Sequence, residues 1–324
     1  ARVLAFYLPQ FHPVPENDEW WGKGFTEWTN VTRAKQLFKG HEQPKLPADL
    51  GYYDLRVPET REAQAELARE HGIEGFCYWH YWFSGKRLLQ RPFAEVLSSG
   101  KPDFPFCLAW ANASWSGIWH GNPDRMLIKQ EYPGTADHRA HFETIAAAFS
   151  DSRYLTVDGK PIFVIFRPLD LPDTEEFTNT WRKLAEEHGL PGLYLVGIGP
   201  HSWNPTESGY DAVCVDYFST VRDRIKTIHP KLLPEPQTNE PLEGPCVYDY
   251  RDIIENAFQS DTYTHYQHPC VIPNWDNTPR SKRQGVVYQG CSPALFASHL
   301  KNAIELIRDQ TAETKLLFLK SWNE

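Results

Sequence analysis

Apolar residues along this chain gather into eight short runs, at residues 3–8, 73–79, 104–110, 162–166, 193–198, 212–215, 270–272 and 316–319. Each has the length of a strand and little polar alternation, the pattern of a parallel sheet covered on both faces. Between most of them the period lengthens to that of an amphipathic helix, at residues 58–71, 93–97, 136–149, 173–188 and 292–308. Pro58 and Pro293 suit first helical turns, Ser292 is placed to cap, and Gly72 is a C-terminal stop. The stretch Leu67-Ala68-Arg69-Glu70-His71-Gly72-Ile73-Glu74-Gly75-Phe76 is echoed at the same spacing by Leu184-Ala185-Glu186-Glu187-His188-Gly189-Leu190-Pro191-Gly192-Leu193. Such a repeated helix end, glycine and strand start belongs to a chain built from αβ units. Residues 227–243 carry Pro230, Pro234, Pro236 and Pro241 and are expected to form an irregular excursion. Eight strands with intervening helices predict α/β architecture, a single (β/α)8 TIM-type barrel with long βα loops.

In such a barrel the residues just beyond each strand share one mouth. The last run ends in Lys320-Ser321-Trp322-Asn323-Glu324, which makes Glu324 the catalytic candidate and Trp322 and Asn323 its companions. The same rule collects Gln10 and His12, then His80 and Trp82, then Asn112 and Trp115. It adds Arg167, Asp216 and Tyr217, and finally Asn274, Trp275 and Asp276. Trp20, Trp21, Glu27 and Trp28 crowd the first long loop, and Tyr78 and Trp110 near two strand ends complete the set of sugar-binding candidates. Carboxylates amid tryptophans suit glycoside chemistry, in which one group handles protons or attacks while another protonates the departing oxygen.

Composition narrows the partners. With 33 basic and 42 acidic residues the formal charge is -9, which argues against nucleic acid or an anionic membrane as the main partner. The 12 Trp, 15 Tyr and 18 Phe exceed the needs of a core this size and suit the apolar faces of sugar rings. Six cysteines, Cys77, Cys107, Cys214, Cys246, Cys270 and Cys291, are dispersed, so buried free thiols and a cytoplasmic location are expected; a leader removed earlier would leave no trace. No window approaches the ~20 apolar residues of a spanning helix, and membrane insertion is not expected. There is no G-x-S-x-G elbow, P-loop or complete dinucleotide fingerprint. The pairs His138/His141 and His265/His268 lack a third ligand, so neither metal nor cofactor is expected.

Several stretches carry a resemblance. Ala5-Phe6-Tyr7-Leu8-Pro9-Gln10-Phe11-His12-Pro13, residues 19–31 with Trp20-Trp21-Gly22 and Thr26-Glu27-Trp28, and Gly75-Phe76-Cys77-Tyr78-Trp79-His80-Tyr81-Trp82-Phe83 resemble the WbsX-like proteins. So do Trp275-Asp276-Asn277-Thr278 and Ser321-Trp322-Asn323-Glu324. That group is labelled a polysaccharide-biosynthesis glycosyltransferase and is similar to glycoside hydrolase family 99, the endo-α-mannosidases and mannanases. The resemblance implies residues 1–324 as one catalytic barrel, truncated at its C-terminus. It implies retention of configuration without metal: a first Glu, here Glu324, deprotonates the sugar 2-hydroxyl, which attacks its own anomeric carbon to give a 1,2-anhydro sugar. A second Glu three residues later would be general acid and then base, beyond the last residue of this sequence. At Trp110-Ala111-Asn112-Ala113-Ser114-Trp115 the chain has Ala113 where the resembling proteins have an acid, which implies a changed substrate or weakened catalysis. The expected function is a retaining endo-glycoside hydrolase of surface or capsular polysaccharide. The alternatives are a nucleotide-sugar-dependent transferase of O-antigen assembly and a non-catalytic glycan-binding barrel.

Overall fold

A computed structural model describes residues 1–117, 122–216, 218–233, 244–258 and 263–324. Eight parallel strands close on themselves: β1 (Arg2–Tyr7), β2 (Gly75–Phe83), β3 (Phe106–Trp110), β4 (Lys160–Ile165), β5 (Tyr194–Gly199), β6 (Ala212–Val215), β7 (Gln267–Val271) and β8 (Leu316–Leu319). Each pairs with its successor, and β8 returns to β1 with Val3 opposite Leu317 and Leu4 opposite Phe318. The ten α-helices of the described residues are α1 (Pro15–Trp21), α2 (Glu27–Arg33), α3 (Pro58–Glu70), α4 (Arg91–Ser99) and α5 (Thr135–Phe149), followed by α6 (Thr174–Glu187), α7 (Phe218–Arg222), α8 (Tyr250–Glu255), α9 (Thr278–Ser281) and α10 (Pro293–Leu306). This is the (β/α)8 barrel that the eight apolar runs predict. Between β5 and β6 the connection is a single 3-10 turn, Pro205–Ser208, instead of a helix. Of the proline-rich excursion, residues 234–243 lie outside the described residues.

Helix stops follow directly from the repeated sequence. Gly72 and Gly189 take φ of +76° and +73°, a left-handed conformation that costs a glycine little. In both copies the next residue's N–H turns back to the helix, Ile73 to the Ala68 carbonyl and Leu190 to the Ala185 carbonyl. In both, the histidine before the glycine sets Nδ1 2.8 Å from the carbonyl one turn earlier, His71 on Leu67 and His188 on Leu184. Entry into α6 is equally local: Asp173 accepts from the Glu176 N–H at 2.7 Å, and Glu175 and Glu176 sit favourably in the first turn.

Strand β2 sets the boundary between core and site. The apolar run suggests an end at Trp79, but the alternating aromatic sequence continues as strand to Phe83 and pairs antiparallel with Lys86–Leu88. Side chains along a strand alternate between faces. Cys77, Trp79 and Tyr81 therefore share the interior face, with Trp79 stacked on Phe6 at 4.8 Å. Tyr78, His80 and Trp82 take the other face and meet the helices, Tyr78 against Phe93 of α4 and the other two against His141 of α5.

Buried histidines give the fold an acid limit. Nε2 of His80 lies 2.8 Å from Nε2 of His141 in a pocket that Trp82, Trp110 and Trp181 close. Burial pushes His80 and His268 down to about 3 and His12 and His299 down to about 4. In the unfolded chain these rings protonate near 6.5, so between about pH 6.5 and pH 3–4 the unfolded state holds more protons and stability rises with pH. The contribution is complete above about 6.5 and drains away as pH falls, with a slope of up to ~1.4 kcal/mol per pH unit for each ring. A urea midpoint well below its neutral value at about pH 5 is the expected result, and an equal midpoint at the two pH values would contradict it.

Candidate active site

At the C-terminal ends of the strands lies a cavity of about 410 Å³. Trp21, Trp79, Trp115, Phe166 and Trp275 supply aromatic wall, and Gln10, Glu27, Arg280, Lys320 and Glu324 supply polar groups. Glu27 opens α2, where a carboxylate is favoured by the helix N-terminus, and its backbone N–H reaches the Gln10 carbonyl at 3.4 Å. Arg280 comes from the short α9, whose entry Asp276 ties down: Oδ1 accepts from Thr278 N–H at 2.9 Å and from Thr278 Oγ1 at 2.6 Å. The other oxygen of Asp276 meets Gln43 at 2.7 Å and His41 at 2.8 Å. Burial would raise the Asp276 carboxyl, yet the bonds from His41, Thr278 and Gln43 hold it below its ordinary range.

Arg280 connects the two carboxylates of the cavity. Its Nε donates to Glu27 Oε2 at 2.9 Å, and its Nη1 lies 4.0 Å from Glu324 Oε1. Asn30 also donates to Glu27 Oε2, at 3.3 Å, and Ser321 Oγ donates to Glu324 Oε2 at 2.7 Å. Burial would lower the Arg280 guanidinium, but Glu27 and Glu324 outweigh it and hold it above its ordinary value. Tyr81, also on the cavity wall, is pushed up first by burial and then by the Glu324 charge. Both bonds to Glu27 fall on Oε2, and at Glu324 the Ser321 bond takes Oε2 while Oε1 lies 4.0 Å from the Arg280 guanidinium. That oxygen can accept a proton from a bound hydroxyl.

Of the sequence candidates, Gln10, Trp21, Glu27, Trp115, Arg167, Trp275 and Glu324 line this cavity. Asn274, Trp275 and Asp276 line a neighbouring cavity of about 390 Å³, and a smaller one of about 90 Å³ includes Glu27, Trp275, Asp276 and Glu324. Trp275 therefore borders all three. Tyr78, His80, Trp82 and Trp110 stand in the packing between strands and helices, because they fall on the outward positions of β2 and β3. His12 is buried beside the Pro9 backbone and within reach of the Asp54 charge, away from the cavity lining. Trp20 meets the edge of Trp115, while Trp28 packs on Phe11 and donates to the Tyr53 carbonyl. Trp322 turns away from the mouth onto Phe76, and Asn323 grips the Leu8 backbone, accepting from its N–H at 2.7 Å and donating to its carbonyl at 2.9 Å. Asp216 accepts from the Phe218 N–H, and Tyr217 lies outside the described residues.

Asn112 reaches the site through its neighbours. Its side chain accepts from the Arg167 N–H at 2.7 Å and donates to the Arg167 carbonyl at 2.8 Å and to Tyr132 Oη at 3.0 Å. It is buried, so Asn112→Ala leaves the Arg167 N–H and carbonyl without this partner, while Tyr132 Oη keeps its bond to the main-chain carbonyl of residue 112, and the change is expected to cost roughly 2–4 kcal/mol, read from urea unfolding. A loss under about 1 kcal/mol would show that the contacts are dispensable.

The reading by strand ends did not find Trp79, Tyr81, Phe166, Arg280 or Lys320 as cavity residues. The first two had a signal, since they share the parity of Cys77 along an alternating strand. Lys320 had one too, as the first polar residue after β8. Arg280 had none, because its bond to Glu27 spans 253 positions. Among the described residues no group of three or more His, Cys, Asp or Glu is placed to hold a metal ion.

Comparison with known proteins agrees with the architecture. A glycoside hydrolase-like protein superposes with a TM-score of 0.57 at 15% identity, covering 100% of this chain and 84% of the other. The GH99 endo-alpha-mannosidase from Bacteroides thetaiotaomicron superposes with a TM-score of 0.56 at 13% identity, covering 100% and 85%. At those identities the likeness is one of fold. In sequence the chain is 35% identical over 326 residues to the uncharacterized protein WxcX of Xanthomonas campestris pv. campestris, covering 100% of this chain and 46% of that protein. The chain thus spans about half the length of the curated relatives it matches. Residues 3–324 match the family described as Glycosyltransferase WbsX, and with essentially its whole length inside that match the chain belongs to the WbsX family.

Proposed function

We propose that the barrel is the catalytic part of a carbohydrate-active enzyme, a retaining endo-glycoside hydrolase of surface or capsular polysaccharide. The observation that carries the reading is Glu324, held by Ser321 at the rim of an aromatic-walled cavity with one oxygen open to a bound hydroxyl. Aromatic faces take the CH faces of sugar rings, and three adjoining cavities around Trp275 suit a chain of several sugars better than a single ring. Glu324 acts as base toward the sugar 2-hydroxyl: the proton passes to Oε1, the hydroxyl oxygen bonds to its own anomeric carbon as the glycosidic bond breaks, and the departing oxygen takes a proton relayed by solvent water, which is restored when the attacking water of the next step loses one. An internal nucleophile gains the high effective concentration of a group already in place. Water then opens the 1,2-anhydro ring with retention, and Glu324 returns its proton to the 2-oxygen. Engaged by Arg280 and Asn30, Glu27 orients sugar hydroxyls.

The family description favours a second reading, a transferase using nucleotide sugars. Incubating the full-length protein with polysaccharides, with and without nucleotide sugars, separates the two. New reducing ends without a donor are the expected result; chain extension that requires a donor would overturn the hydrolase.

A further inference from the structure

Three cations line the main cavity, and they differ in what they touch. Arg280 is held by Glu27, and Arg167 lies 3.3 Å from Asp170. Lys320 is the third. It follows β8 directly, its N–H bonds to the Val271 carbonyl at 2.9 Å, and its ammonium is 4.9 Å from the Phe218 ring and 5.6 Å from the Trp275 ring. Among the described residues no oxygen hydrogen-bonds to it and no carboxylate pairs with it. Two carboxylates influence it from further off: Asp216, whose Oδ1 takes the Phe218 N–H, and Glu324, whose Oε2 takes the Ser321 hydroxyl. Those charges outweigh burial and hold the lysine above its ordinary value, so it is an ammonium at every working pH.

A cation in a cleft keeps its hydration only until a ligand displaces the water. Once a sugar covers Lys320, N–H donors that no protein oxygen takes among the described residues are costly to leave unpaired unless the ligand brings acceptors, and an anionic acceptor bonds an ammonium best. Two ring faces already favour the ammonium's place but leave its N–H donors free.

The geometry points to an acidic glycan as the ligand of this cavity, with a carboxylate, sulfate or phosphate substituent of the sugar beside Trp275 seated on the Lys320 ammonium. This rests on the reading of the cavity as a glycan site and adds the charge of the substrate. The protein's formal charge of -9 repels polyanions at a distance, so recognition would depend on this local cation and weaken with salt.

The test compares binding of matched polymers by the full-length protein: hexuronate-containing polysaccharides with their carboxyl-reduced forms, and sulfated and phosphorylated glycans with their neutral parents. The expected result is about tenfold or more tighter binding of one acidic class over its neutral partner. Which pair shows the preference identifies the anion. Lys320→Met should abolish the preference while the neutral form still binds, and Lys320→Arg should restore most of it. Equal binding of acidic and neutral partners by the unaltered protein overturns the inference and leaves the glycan site standing, as does a preference that survives Lys320→Met. Binding of no polymer in the panel overturns both.

Discussion

Glu324→Gln is expected to lower the rate of glycan cleavage by about 10²–10⁴-fold, the usual contribution of a positioned general base, with little change in glycan affinity. The amide keeps the shape of the carboxylate and still accepts from Ser321 Oγ, so the loop after β8 retains its place. What it loses is the capacity to take a proton. Arg280, 4.0 Å away, would no longer face a charge on this side, yet its closer bond to Glu27 persists. The aromatic wall proposed to hold the sugar rings is not touched by the substitution. Reducing-end release and equilibrium binding, measured on the same preparations, separate the two effects. An undiminished rate would remove Glu324 from the mechanism, and a loss confined to binding would make it a contact residue.

Arg280→Met is expected to be the most destabilising single change at the site. Removing the guanidinium leaves Glu27, only 9% exposed in its side chain, as a charge without a cation, and brings it into unrelieved opposition with Glu324. Breaking a buried pair in this way typically costs about 3–5 kcal/mol, or a fall in Tm of roughly 4–7 °C for a chain of 324 residues. Adding Glu27→Gln should recover a large part of the loss, since the double variant buries no unpaired charge. A Tm within about 2 °C of the parent would show that water reaches Glu27 and screens it. Additive losses in the double variant would show that the pair is not coupled.

Much of the barrel was legible because its rules are local. Eight apolar runs became eight strands, and two copies of a helix end followed by His-Gly became two matching stops, down to the histidine Nδ1 on the carbonyl one turn back. The mouth was legible less completely, because proximity to a strand end says nothing of direction. An end of β2 at Trp79 would make His80 and Trp82 mouth residues; four more residues of strand turn them toward α5 and put Trp79 and Tyr81 on the cavity. Asp276 and Asn112 were recognised as polar residues near the site, but the groups they hold, His41 and Gln43 in one case and Arg167 in the other, are far away in sequence. Arg280 lay beyond any local pattern for the same reason.

Asn323 has a consequence for the order in which the protein comes into being. Its side chain closes a two-bond ring with the backbone of Leu8 across 315 positions, beside the seam where β8 meets β1. During synthesis most of the helical shell can collect around seven strands long before that seam exists, because domains condense as their residues emerge. The neighbouring Glu324, by contrast, gains its position only when the last strand arrives and the ring of hydrogen bonds is completed, the most non-local and therefore slowest kind of contact. A nascent chain is in this way largely built before Glu324 has its place, and the carboxylate proposed as the base is positioned in the same step that seals the barrel.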